Sequence, residues 1–135
     1  MIVVDTNVVT YHLLRADPFA GEVSRLAETD PDWVAPTLLQ SELRNVLALQ
    51  HRERGLPIRE AKRLLRQAEA LFDNALFEVD AERVLDLVAQ SDLSAYDCEY
   101  LVLARRLDTS LITYDTAIRN SFPTIAHTPS DVVDE

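Results

Sequence analysis

Five short apolar runs punctuate the chain: Ile2-Val3-Val4, Trp33-Val34-Ala35, Leu76-Phe77-Glu78-Val79, Leu111-Ile112-Thr113 and Thr124-Ile125-Ala126. Each is too short for a helix and is bounded by turn or cap residues, so each reads as a strand. Longer stretches between them carry apolar residues at helical spacing. This pattern predicts helices over residues 7–15, 17–28, 37–54, 57–73, 80–90, 94–107 and 116–120. Asp17 reads as an N-cap with Pro18 at the first helical position. Thr37 with Gln40, and Ser94 with Asp97, have capping-box spacing, and Gly55 stops the third helix. Asp30-Pro31-Asp32 reads as a turn, and the acidic tail 131–135 as frayed.

Strands alternating with helices predict an α/β fold, with a mainly parallel sheet of four to five strands covered by helices on both faces. At 135 residues the chain reads as a single domain, 1–135, large enough to bury roughly two-thirds of its unfolded surface. There is no repeat, linker or low-complexity stretch. Two glycines in the whole chain exclude a Gly-rich phosphate loop of either Walker or dinucleotide-binding type.

Four acids stand out against this layout. Asp5 and Asp115 follow the first and fourth apolar runs, where open parallel sheets place their reactive groups. Either could simply cap the helix that follows it. Glu42 falls inside the apolar half of its helix, between Leu49 and Val46, where an acid is rarely placed unless paired. Asp97 lies at the start of a helix that is apolar nearly all round; it is also the third residue of a capping box, a sufficient structural role by itself. If the apolar runs are strands of one sheet, the four positions would gather at one of its edges. Two carboxylates about 4 Å apart repel by roughly 4 kcal/mol at an effective dielectric of 20. Raised pKa values or a hard divalent cation relieve that repulsion. An all-oxygen donor set with no neighbouring His or Cys suits Mg²⁺ or Mn²⁺ rather than Zn²⁺, and Mg²⁺ is commonly completed by substrate phosphates.

Charge adds a second feature. The net charge of −10 argues against a simple electrostatic nucleic-acid binder. Yet seven of the thirteen Lys and Arg lie between residues 44 and 66, Arg44, Arg52, Arg54 and Lys62 among them, opposed only by Glu53 and Glu60. That region reads as a solvated helix face, a phosphate track, or a docking surface for an acidic partner. His12, His51 and His127 are scattered and read as surface or helix-end residues. Trp33 reads as core, and Tyr114, beside Asp115, as a residue that could stack on a base. A single cysteine, Cys98, reads as a small buried apolar residue and fits a reducing, cytoplasmic setting. No stretch approaches the ~20 apolar residues of a membrane span and no signal peptide is visible, so no membrane association is expected.

The ordered pieces resemble a known family. They are Ile2-Val3-Val4-Asp5-Thr6-Asn7; Ala35-Pro36-Thr37-Leu38-Leu39-Gln40-Ser41-Glu42-Leu43-Arg44-Asn45-Val46-Leu47; Leu93-Ser94-Ala95-Tyr96-Asp97-Cys98-Glu99-Tyr100-Leu101-Val102-Leu103-Ala104; and Leu111-Ile112-Thr113-Tyr114-Asp115. In this order and spacing they resemble the PIN domain and, within it, the VapC-type ribonuclease toxins of toxin–antitoxin pairs. Cys98 and Glu99 depart from the pattern, standing where small residues are common; they touch packing and not the acids.

The resemblance implies a PIN-like fold in which Asp5, Glu42, Asp97 and Asp115 surround a Mg²⁺ or Mn²⁺ site. Asp5 and Asp97 match its most direct ligands. Glu42 and Asp115 match residues that bind a second metal or orient waters. Thr6, Asn7 and Thr113 match small polar supports. It further implies metal-assisted hydrolysis of RNA phosphodiesters, in tRNA or another structured RNA, leaving 5′-phosphate and 3′-hydroxyl ends. A homodimer and a cognate VapB-type antitoxin complete the expectation, with Arg44, Arg52, Arg54 and Lys62 as contacts for RNA or antitoxin. Two alternatives stand beside it. One is a PIN-like fold kept only for binding. The other is a receiver-like metal-binding regulatory module, which would need a late lysine that this chain lacks, since Lys62 is its only one.

Overall fold

The computed structural model describes residues 1–134. Its elements, in chain order, are β1 (Ile2–Val4), α1 (Thr6–Leu14), α2 (Ala20–Thr29), β2 (Trp33–Pro36), α3 (Leu38–Arg54), α4 (Ile58–Leu71), β3 (Leu76–Phe77), α5 (Ala81–Ala89), α6 (Ala95–Arg106), β4 (Leu111–Ile112), α7 (Thr116–Ser121), β5 (Ala126–His127) and α8 (Pro129–Val133). The five strands form one sheet in the order β3-β2-β1-β4-β5, and every pairing is parallel. Ile2, Val3 and Val4 are all buried, as are all four residues of β2. Since successive strand residues face opposite sides, both sheet faces are covered, as expected for a parallel sheet. The apolar run Tyr100–Ala104 of α6 is buried throughout and packs against β1 and β2.

The strand order places the site. From β1 the chain winds outward through β2 and β3, then returns to β1's other side as β4. Connections leaving the carboxyl ends of β1 and β4 therefore diverge and open a crevice between them. Receiver-type folds run 2-1-3-4-5 instead, so the topology departs from the receiver-like alternative.

Several predicted helix ends move. Residues 17–18 do not open a helix; α2 begins at Ala20 with Phe19 before it. Phe19 is held by aromatic packing, edge-on to Tyr11 and stacked on Tyr114 at 4.1 Å, which keeps the preceding turn out of the helix. Thr37 has helical backbone angles and makes no side-chain cap, and the N–H that a capping box would pair with Gln40 is taken by Phe77 O of β3 at 3.0 Å. A side-chain N-cap needs an extended residue, so the box with Gln40 does not form. Pro57 precedes α4 rather than joining it, and the last strand shifts to Ala126–His127. The tail is not frayed where it can be described: Thr128 caps α8 through a full capping box with Asp131, with Pro129 in the first turn. Of the acidic tail, Glu135 lies outside the described residues.

Candidate active site

Asp5 follows β1 and caps α1. Thr6 N–H donates to its Oδ1 at 2.8 Å, the Thr113 hydroxyl to its Oδ2 at 2.7 Å, and Asn7 Nδ2 to Oδ2 at 3.4 Å. Only 8% of the residue is exposed. Burial raises its pKa from 3.8 to about 6, against the lowering effect of the Thr113 and Thr6 hydrogen bonds; the charges of Glu42 and Asp97 add to the rise.

Asp115 is the corresponding residue after β4. It caps α7 through Ile118 N–H at 3.0 Å, while its own N–H donates to Thr113 Oγ1 at 3.0 Å. Asn7 ties the two strand ends together. Its Nδ2 donates to Thr113 Oγ1 at 3.2 Å and its Oδ1 accepts Tyr114 N–H at 3.1 Å. Asp97 enters from the first turn of α6, where its N–H donates to the Ser94 hydroxyl at 3.1 Å. Its pKa is raised, first by burial and then by the charge of Asp115, and hydrogen bonding from Ser94 offsets part of this. Glu42, in the second turn of α3, accepts at Oε1 from the Thr6 hydroxyl at 2.8 Å and the Tyr100 phenol at 2.7 Å.

All four acids line one open cleft of about 840 Å³, together with Thr6, Asn7, Asn45, Gln50 and Arg54. The capping roles of Asp5 and Asp115 are thus real and do not compete with the cleft, while Asp97 is itself capped by the Ser94 hydroxyl. An N-cap bond uses one of a carboxylate's roughly four lone-pair sites and leaves others available. The pKa values of Asp5 and Asp97 are raised chiefly by burial, with the charges of neighbouring acids a smaller cause.

The basic residues divide. Arg44, Arg52, Arg54 and Lys62 are all exposed, but of these four it is Arg54 that reaches the acidic cleft. Arg44 and Lys62 border a separate shallow apolar groove with Ile58 and Leu65.

A PIN domain family model matches residues 2–121. The chain belongs to the PIN domain family. Its fold is similar to that in the crystal structure of FitAcB from Neisseria gonorrhoeae, at 21% identity and TM-score 0.74, covering 96% of this chain and 98% of that one. It is also similar to a toxin–antitoxin complex from Klebsiella pneumoniae, at 21% identity and TM-score 0.71, with 96% and 98% covered. FitAB bound to an IR36 DNA fragment matches at 21% identity and TM-score 0.71, with 96% and 95% covered. No curated protein matches the chain.

In this PIN domain the donor set of the cleft is entirely oxygen. Among the described residues no three His, Cys, Asp or Glu side chains close on a single point as a ready-made ligand cage. Mg²⁺ retains several waters and needs only one or two carboxylates, a number that Asp5 and Asp97 could supply. A desolvated Asp5 with acidic neighbours supplies the electrostatic demand for such an ion.

Two features of the site are absent from the sequence reading. Tyr100 counts as apolar on a helical wheel, yet its phenol touches Glu42 and Thr6. Its polar end is legible only once α3 and α1 are placed beside it. Tyr114 is already engaged: Phe19 stacks on it, and its hydroxyl donates to Glu22 Oε1 at 2.8 Å. His12 packs edge-on against the buried Trp33, and Cys98 is buried.

Proposed function

We propose that this PIN domain is a Mg²⁺- or Mn²⁺-dependent endoribonuclease that acts as the toxin of a toxin–antitoxin pair. The convergence of Asp5, Glu42, Asp97 and Asp115 in one cleft at the carboxyl ends of β1 and β4 carries this reading. Likeness to a toxin–antitoxin complex from Klebsiella pneumoniae supports the second half. On this reading the bound cation supplies charge neutralisation at the scissile phosphate and lowers the pKa of a water at the site.

The chain's own residues do the rest. Asp5 and Asp97 hold the cation, with Thr113, Thr6 and Asn7 fixing the Asp5 oxygens. Glu42 and Asp115 face the same space, where they would bind a second cation or orient waters. Arg54, on the cleft wall, neutralises a phosphate of the flanking backbone. The substrate is RNA, a tRNA or another structured RNA, and the partner is a VapB-type antitoxin that covers the cleft. A homodimer and a cytoplasmic setting belong to the same proposal. No helix among the described residues is long and apolar enough to cross a membrane.

The test is cleavage of a structured-RNA panel by the wild type and by Asp5→Asn. Cutting that needs added Mg²⁺ or Mn²⁺ and disappears in Asp5→Asn supports the assignment. Equal cutting by both proteins ends it.

A further inference from the structure

Three oxygens of the cleft form a tight triangle. Thr6 Oγ1 lies 2.8 Å and the Tyr100 phenol 2.7 Å from the same Glu42 oxygen, Oε1, and 2.7 Å separates the two hydroxyls. Among the described residues no donor is paired with Glu42 Oε2. The grip comes from two directions, α1 through Thr6 and α6 through Tyr100. Tyr100 is only 1% exposed and Thr6 only 8%, so neither side chain can swing aside. Oε1 is therefore engaged, and Oε2 is the oxygen without a hydrogen-bond partner.

We propose that Thr6 and Tyr100 are positioning residues that turn Glu42 into a one-oxygen ligand, and thereby set the cleft's preference for Mg²⁺ or Mn²⁺ over Ca²⁺. This rests on the reading of the cleft as a cation centre. Mg²⁺ demands near-ideal octahedral geometry and takes few carboxylate oxygens. Ca²⁺ takes six to eight oxygens and commonly accepts a carboxylate through both. The two hydroxyls have one hydrogen each for three close contacts, so Oε1 accepts from at least one of them and has less to offer an ion than Oε2. Freed from them, Glu42 can offer both oxygens. A buried phenol also needs an acceptor for packing reasons alone, and that role affects stability without touching cation preference. Cation preference therefore separates the two.

The experiment titrates Mn²⁺, Mg²⁺ and Ca²⁺ into the full chain by calorimetry, in the wild type and in Tyr100→Phe, Thr6→Val, Thr6→Ser and Asp5→Asn. Tyr100→Phe and Thr6→Val should weaken Mn²⁺ binding about tenfold, as removal of an outer hydrogen-bond partner of a ligand does, and leave Ca²⁺ binding equal or tighter. Thr6→Ser, which keeps the hydroxyl, should keep the wild-type ratio. If Tyr100→Phe fails to fold by circular dichroism, Thr6→Val against Thr6→Ser decides the matter. An unchanged Mn²⁺ to Ca²⁺ ratio in the folded variants overturns the positioning role, while loss of binding in Asp5→Asn leaves the cation centre standing. Mn²⁺ binding that survives in Asp5→Asn overturns the centre and this proposal with it.

Discussion

The hydroxyl of Thr113, one residue beyond β4, donates to Asp5 Oδ2, one residue beyond β1, at 2.7 Å across 108 positions of sequence. The same threonine oxygen accepts from Asn7 Nδ2 and from Asp115 N–H, so one fully buried side chain locks both strand ends and two of the four acids. Thr113→Val keeps the shape and removes every one of these bonds. It should destabilise the protein by about 1–3 kcal/mol, the cost of leaving buried polar groups unpaired. Urea unfolding in chelator measures this. The Asp5 pKa should also climb further above 6, because the Thr113 bond lowers it; a carboxyl-carbon NMR titration reads that shift. An unchanged Asp5 titration contradicts the role.

Asp5 makes stability depend on pH in a particular direction. Its folded pKa, about 6, lies above the ordinary 3.8, so the native state holds a proton that the unfolded state has released. The associated stability is complete below about pH 4 and is lost as pH rises through 6. A shift of about two units is worth up to about 3 kcal/mol. In metal-free buffer, the stability of the wild type minus that of Asp5→Asn should fall by an amount of that order between pH 4 and pH 7. Taking the difference cancels carboxylates elsewhere, such as Asp131, whose pKa moves down. A difference that is flat, or that rises with pH, contradicts the assignment.

A bound cation should reverse that penalty. Binding to the native state alone raises stability by mass action. At pH 8, millimolar Mg²⁺ or Mn²⁺ should raise the wild-type melting temperature by several degrees. Asp5→Asn should melt higher than the wild type in chelator and respond little to either ion. Equal responses in both proteins would place the ion elsewhere.

The division of the basic residues predicts unequal effects on RNA binding. In an Asp97→Asn background, which on the proposed reading should hold RNA without cutting it, Arg54→Gln should weaken binding several-fold. It should also reduce the salt slope by about 0.7, the value for one phosphate contact on a single strand. Lys62→Gln, outside the acidic cleft, should change neither. Filter binding across a salt series measures both, and a larger effect from Lys62 than from Arg54 would reverse the division.

Much of this site is legible in the chain because its signals are local. Asp5 and Asp115 follow apolar runs, and Glu42 interrupts an apolar helix face; neither observation needs a tertiary partner. The parallel sheet and its strands follow from the same block pattern. Other features depend on contacts that no window contains. Tyr100 reads as one more apolar residue of a buried helix until Glu42 and Thr6 arrive from elsewhere. The turn before α2 is set by Phe19 stacking on a tyrosine far along the chain, and Thr37 gives its N–H to the ladder with β3. The helix α8 is a different case. Thr128-Pro129-Ser130-Asp131 carries a local capping signal, which the acidity of the segment obscured.

The end chemistry of cleaved RNA tests the central claim most directly. Wild-type protein incubated with a structured RNA in Mg²⁺ should give fragments with 5′-phosphate and 3′-hydroxyl ends, and EDTA or Asp97→Asn should abolish them. Fragments ending in 2′,3′-cyclic phosphate, formed equally well in EDTA, would contradict a cation-dependent acid cluster as the cutting centre.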